Sequence, residues 1–135
     1  MEIERPEIVE LFYSALFNPS DAERLFAFVG PKVQWILSAA DPKTLGEDLP
    51  SNAVKFSGAD GFKKLAHYFR QRLRVISGYL TGCIPHHHLV FSYGRVQLER
   101  PGTVEATETN VSAKFTFQGL KITKCQIRIS WPLAF

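Results

Sequence analysis

In Val111-Ser112-Ala113-Lys114-Phe115-Thr116-Phe117 every odd position is apolar and every even one polar or charged. That period of two belongs to a strand with one face buried and one face wet. Gln118-Gly119 breaks it, and a glycine at the second position of a tight turn supplies the positive φ a hairpin needs. From Thr123 to Trp131 the odd positions read Thr, Cys, Ile, Ile, Trp and the even ones Lys, Gln, Arg, Ser. Two long strands therefore share an apolar face, and the rest of the chain must cover it.

The upstream residues supply that cover. Pro6 suits the first position of a helix, Glu7 and Glu10 favour its positive end, and Ile8, Leu11, Phe12, Ala15 and Leu16 form one stripe. Asn18-Pro19 ends this helix. Ser20 with Glu23 has the spacing of a capping box for a second helix, whose inward residues are Ala22, Leu25, Phe26 and Val29 and whose stop is Gly30-Pro31. A strand is expected over Val33 to Ser38, an aperiodic loop from Ala39 to Asn52, and a short strand over Ala53 to Ser57. Gly58 leads into the longest helix, with Phe62, Leu65, Ala66, Phe69, Leu73 and Ile76 as its stripe and Gly78 as its end. Beyond it the chain reads as strand: Tyr79 to Phe91 with a bulge at Pro85, Arg95 to Arg100, Val104 to Phe117 and Leu120 to Trp131. Turns fall at Ser92-Tyr93-Gly94 and Pro101-Gly102.

At 135 residues, this is one domain with one core. No apolar run approaches the roughly 20 residues of a membrane span, and the acidic first residues do not resemble an export signal, so a cytoplasmic protein is expected. Cys83 and Cys125 have no ligand-like spacing and are expected as free thiols. The net charge of +3 conceals an asymmetry: residues 1–60 hold 10 Asp/Glu against 5 Lys/Arg, and residues 61–135 hold 3 against 11. The two halves either neutralise one another or present a surface for an anionic partner. The basic residues follow no nucleic-acid reading motif, so that partner is not expected.

Helices followed by antiparallel strands make an α+β domain with helices on one face of a bent sheet. Asn18-Pro19-Ser20-Asp21, Phe56-Ser57-Gly58-Ala59-Asp60-Gly61-Phe62 and Phe115-Thr116-Phe117-Gln118-Gly119-Leu120-Lys121-Ile122 resemble, in this order, the nuclear-transport-factor-2-like superfamily. Its members include SnoaL-like polyketide cyclases, ketosteroid isomerase and scytalone dehydratase. The resemblance implies a cystatin-like cone over residues 1–135. A bent, mostly antiparallel sheet wraps a long helix, two short helices precede it, and a pocket lies at the open end. It also implies a homodimer through the outer sheet face.

The resemblance to ketosteroid isomerase places that enzyme's oxyanion tyrosine at Tyr13, its second oxyanion acid at Glu108 and its carboxylate base at Leu37, which cannot take a proton. In His86-His87-His88, a strand would turn the first and third rings to one face, as a proton-transfer pair or as two zinc ligands. No further ligand stands at suitable spacing, so no metal or cofactor is assigned. His86 or His88 with Glu108 is the acid–base candidate. Two functions from different classes follow. One is a binder or an enzyme of the isomerase, cyclase or dehydratase type. It would act on a hydrophobic, carbonyl-bearing ligand walled by Tyr13, Phe28, Trp35, Leu37, Phe69, His86, His88, Glu108, Phe115 and Phe117. The other is a non-catalytic dimerisation or partner-binding domain whose cone its own phenylalanines fill.

Overall fold

A computed structural model describes residues 3–39, 53–71, 74–99 and 106–129. Helices α1 (Arg5–Ala15) and α2 (Pro19–Leu25) lead through one 3-10 turn (Phe26–Phe28) into β1 (Val29–Ala39). Then come β2 (Ala53–Ser57), α3 (Gly58–Gln71), β3 (Val75–His86), β4 (Leu89–Glu99), β5 (Ala106–Gln118) and β6 (Lys121–Ile129). The strands form one sheet in the order β2-β1-β6-β5-β4-β3, antiparallel at every step except β1 beside β6. The expected α+β cone of helices against a mostly antiparallel sheet is the observed architecture.

On β5 the alternation works as the sequence indicates, with Val111, Ala113, Phe115 and Phe117 buried and the even positions more exposed. Val90, Ser92, Gly94, Val96 and Leu98 do the same on β4, and Val33, Trp35 and Leu37 on β1. Over this inner face α3 packs against β1 and β2, and α1 against β3 and β4. Phe12 is the meeting point: the rings of Tyr13, Trp35, Phe62 and Phe115 lie 5.0 to 5.7 Å from its own. Gly58, at φ 75°, turns the chain from β2 into α3, and its carbonyl accepts the Trp35 indole N–H at 2.8 Å. Thus the strand-to-helix corner is tied to the neighbouring strand β1.

Arg5 ties the tips of two hairpins together. Its Nε donates to the Gly119 carbonyl at 2.9 Å and its Nη1 to the His87 carbonyl at 2.7 Å, while its guanidinium carbon lies 5.4 Å from the centre of the Phe117 ring. At the other end of the sheet Ala39 stands beside Ile129, and Glu99 opposite Ala106. No helix is long and apolar enough, among the described residues, to cross a membrane.

Several local expectations are corrected. Helix α2 is capped by Asn18, whose side chain accepts the Ser20 N–H at 3.1 Å, so Ser20 and Glu23 form no capping box there. Glu4 and Glu7 sit where such a box forms, and the Glu4 N–H donates to Glu7 Oε1 at 3.4 Å. Gly30-Pro31 does not stop a helix: Val29 already opens β1, and the ladder to β6 shifts register between Val29 and Gln34. Helix α3 ends at Gln71, while Ile76 and Gly78 belong to β3. Arg74 at φ 55° breaks the helical path, and its carbonyl accepts the Glu99 N–H at 2.9 Å to begin the sheet.

Ser92-Tyr93-Gly94 lies within β4, and the turn comes earlier, at His87 with φ 55°. Pro85 pairs regularly with Val90 on an edge strand, where proline costs no ladder bond to a second neighbour; the irregularities fall between Val75 and Ser77 and between Leu80 and Gly82. The last hairpin turns on Gly119-Leu120 with glycine first, since Gln118 still pairs with Lys121. The Pro101-Gly102 turn, the loop over 40–52, Leu73 and Trp131 lie outside the described residues.

Candidate functional site

Tyr13 follows Phe12 on the buried side of α1 and is 4% exposed. Its hydroxyl is 2.9 Å from Ser92 Oγ, which in turn lies 3.4 Å from the Ala113 carbonyl oxygen. Two proton arrangements are open to these hydroxyls. Tyr13 can donate to Ser92 and Ser92 to Ala113, or Ser92 can donate to Tyr13 and leave the phenol proton for another acceptor. Burial pushes the Tyr13 hydroxyl up to about 12, against the opposing effect of its hydrogen bond to Ser92. It is therefore a neutral donor throughout the physiological range.

The ring comes close to β4 because Gly94 has no side chain. A Cβ there would come within 2.7 Å of both Tyr13 Cε2 and the Tyr79 carbonyl. Trp35, Leu37, Phe69, Phe115 and Phe117 are buried on the same inner side, and Phe28 is half-buried beside them. Leu37 occupies its inward position on β1, so that position carries no base. Both cysteines are free; burial raises Cys125, and Cys83 less so.

The other three candidates do not join Tyr13. Glu108 points to the outer face of the sheet and pairs there with Arg95. Its neighbour Thr109 is the inward residue, 6% exposed. His86, His87 and His88 are all exposed at the β3–β4 tip held by Arg5, with the first two rings 4.3 Å apart. The pairing of His86 or His88 with Glu108 required one continuous strand, and the turn at His87 removes that geometry. Ser92 was missed because Ser92-Tyr93-Gly94 has the composition of a turn. The signal that could have found it is the alternation Val90, Ser92, Gly94, Val96, Leu98.

Among the described residues, surface grooves accompany this interior. One of about 340 Å³ lies among α1, α2 and α3. Another of about 330 Å³ follows the register shift of β1, and a third of about 190 Å³ lies over Tyr93 and Lys114. None of the three is lined by Tyr13, Trp35, Leu37, Phe69, Phe115 or Phe117.

A bent sheet closed by helices over one buried phenol–hydroxyl pair defines a protein of the α+β cone class. No family model matches the sequence, and no curated protein matches it. Solved structures do. TerC, co-crystallised with polyporic acid, superposes with a TM-score of 0.70 at 16% identity over 91% of this chain and 88% of its own. A Catenulispora acidiphila protein with a ketosteroid isomerase-like fold, in complex with trimethylamine, gives 0.66 at 12% over 96% and 88%. A Jannaschia sp. CCS1 protein assigned as a SnoaL-like polyketide cyclase gives 0.68 at 9% over 96% and 90%. At these identities the likeness is one of fold alone, the ketosteroid isomerase-like fold.

Proposed function

We propose that the protein binds a hydrophobic, carbonyl-bearing small molecule within the cone, with the Tyr13 hydroxyl donating to the carbonyl oxygen. The observation that carries this is the buried Tyr13–Ser92 pair. Rotation of the Ser92 hydroxyl toward Tyr13 releases the phenol proton and places a second donor behind it, which strengthens Tyr13 as a donor in apolar surroundings. With Leu37 where a base would stand, isomerase, cyclase or dehydratase chemistry would proceed by polarising the carbonyl and not by proton abstraction at that position. The co-crystallisation of TerC with polyporic acid supports the same class of occupant.

A second function is favoured by the five aromatic rings gathered at Phe12: a self-filled cone acting as a dimerisation or partner-binding domain. One experiment separates the two. Thermal melting with 2-acetylnaphthalene and with naphthalene compares a ketone with its carbonyl-free counterpart. Binding in the cone predicts that the ketone raises Tm more than naphthalene does and that Tyr13→Phe removes the difference. If neither compound moves Tm, the self-filled cone stands.

A further inference from the structure

We propose a second ligand site outside the cone: the groove among α1, α2 and α3 takes an apolar molecule carrying a carboxylate, drawn by the positive charges of Arg70 and Lys63 on its rim. At about 340 Å³ the groove falls within the size range of small-molecule sites. Ala15, Ala22 and Ala66, one from each helix, keep it open, and Phe26 and Phe62 give it an aromatic floor, their ring centres 6.2 Å apart in an edge-on arrangement. The rim is charged. Lys63 Nζ is held 5.7 Å from the centre of the Phe26 ring, so its charge stands over the apolar floor. Arg70 lies two helical turns further along α3, roughly 10 Å away at 1.5 Å per residue.

Neither cation forms an ion pair among the described residues, whose salt bridges involve Arg24, Arg74 and Arg95 instead. Glu23 on the opposite rim is exposed, which leaves the groove with two positive charges against one negative. An apolar body with one anionic end complements this arrangement. The planar guanidinium of Arg70 matches the two oxygens of a carboxylate, and Lys63, over the Phe26 ring, adds a second positive charge along the groove. This site is separate from Tyr13, because neither Tyr13 nor Ser92 is among its lining residues.

Calorimetric titration with decanoate, and with 1-decanol as its uncharged counterpart, tests the site. One decanoate per chain is expected, bound more tightly than decanol. Lys63→Gln with Arg70→Gln should weaken it about tenfold, as loss of charge-assisted hydrogen bonds does. Ala66→Leu should block the groove, and Ala22→Leu, on the half-buried side, repeats that test if the first variant does not fold. Tyr13→Phe should leave decanoate binding as it is. The proposal is overturned if decanoate does not bind, if decanol binds equally well, or if the charge and alanine variants change nothing. Binding lost in Tyr13→Phe but kept in the groove variants would assign decanoate to the cone instead.

Discussion

Tyr13 is a polar group in an aromatic interior, and its ionisation is where its placement becomes measurable. Its folded pKa, about 12, stands above the ordinary value of 10.0, so the folded protein keeps a proton that the unfolded chain releases first. The sign follows: stability is fully present below pH 10 and is lost as pH rises through 12, by at most about 3 kcal/mol for two pKa units. Urea unfolding of the protein and of Tyr13→Phe between pH 9 and 12 isolates this effect, since other groups cancel in the difference. A difference that stays flat with pH would mean the phenol titrates freely. At neutral pH Tyr13→Phe should cost about 1 kcal/mol, the usual net worth of one hydrogen bond, because Ser92 keeps the Ala113 carbonyl as a partner. Gly94→Ala should cost more, about 1–3 kcal/mol, as overpacking does, because one of the atoms its Cβ meets at 2.7 Å is a ladder carbonyl that cannot yield. Gly82→Ala in the neighbouring strand meets nothing within 4 Å and is the control.

Among the elements, the hairpin tips depend on a residue that belongs to neither. Arg5 donates to both tip carbonyls and covers Phe117, and the Phe117 N–H itself donates to the His88 carbonyl at 2.8 Å. Arg5→Ala should therefore destabilise by about 1 kcal/mol, the lower end for charged donors because the site is partly solvated. Amide exchange should quicken around residues 86–89 and 117–121 while the centre of β5 stays protected. Lysine at position 5 should not restore protection, since a single ammonium cannot span the two carbonyls as a guanidinium fork does. Equal protection in wild type and Arg5→Ala would show that the tips hold without it.

For the whole molecule, the outer face of the sheet is the open question that solution mass answers. Tyr79, Ile84 and Tyr93 are about half exposed there, and Ile84 pairs with Phe91 across β3 and β4. Arg95, Lys114 and Arg128 surround them, with Glu108 already paired to Arg95. An apolar centre with a charged rim is the composition of a protein interface. Light scattering at micromolar concentration should give about twice the 15.3 kDa chain mass, and Tyr93→Asp should return it to the monomer. A monomer for the unaltered chain would rule out this pairing.

Alternation along β5, the proline that starts the first helix and the glycine entering α3 were all legible in the sequence, because each is a local matter of period or φ. Those features are enough for an α+β fold and for the inward placement of Trp35, Leu37, Phe69, Phe115 and Phe117, whereas Tyr13 lies off the stripe read on the first helix and only the family resemblance pointed to it. What the sequence could not settle is where local signals competed. Leu73 and Ile76 continue a helical period past Gln71, yet the ladder to β4 claims the chain from Val75 onward. Ser92-Tyr93-Gly94 has the composition of a turn, yet a ring from α1 needs Gly94 as bare strand backbone. Glu108 facing out and Thr109 in continues the odd-in, even-out period of β5, so the residue pattern agreed with the structure there and only the family resemblance had placed Glu108 in the cone. Tertiary packing took the histidines out of any common interior, because the turn at His87 is set by the pairing of β3 with β4 and by Arg5, far away in sequence.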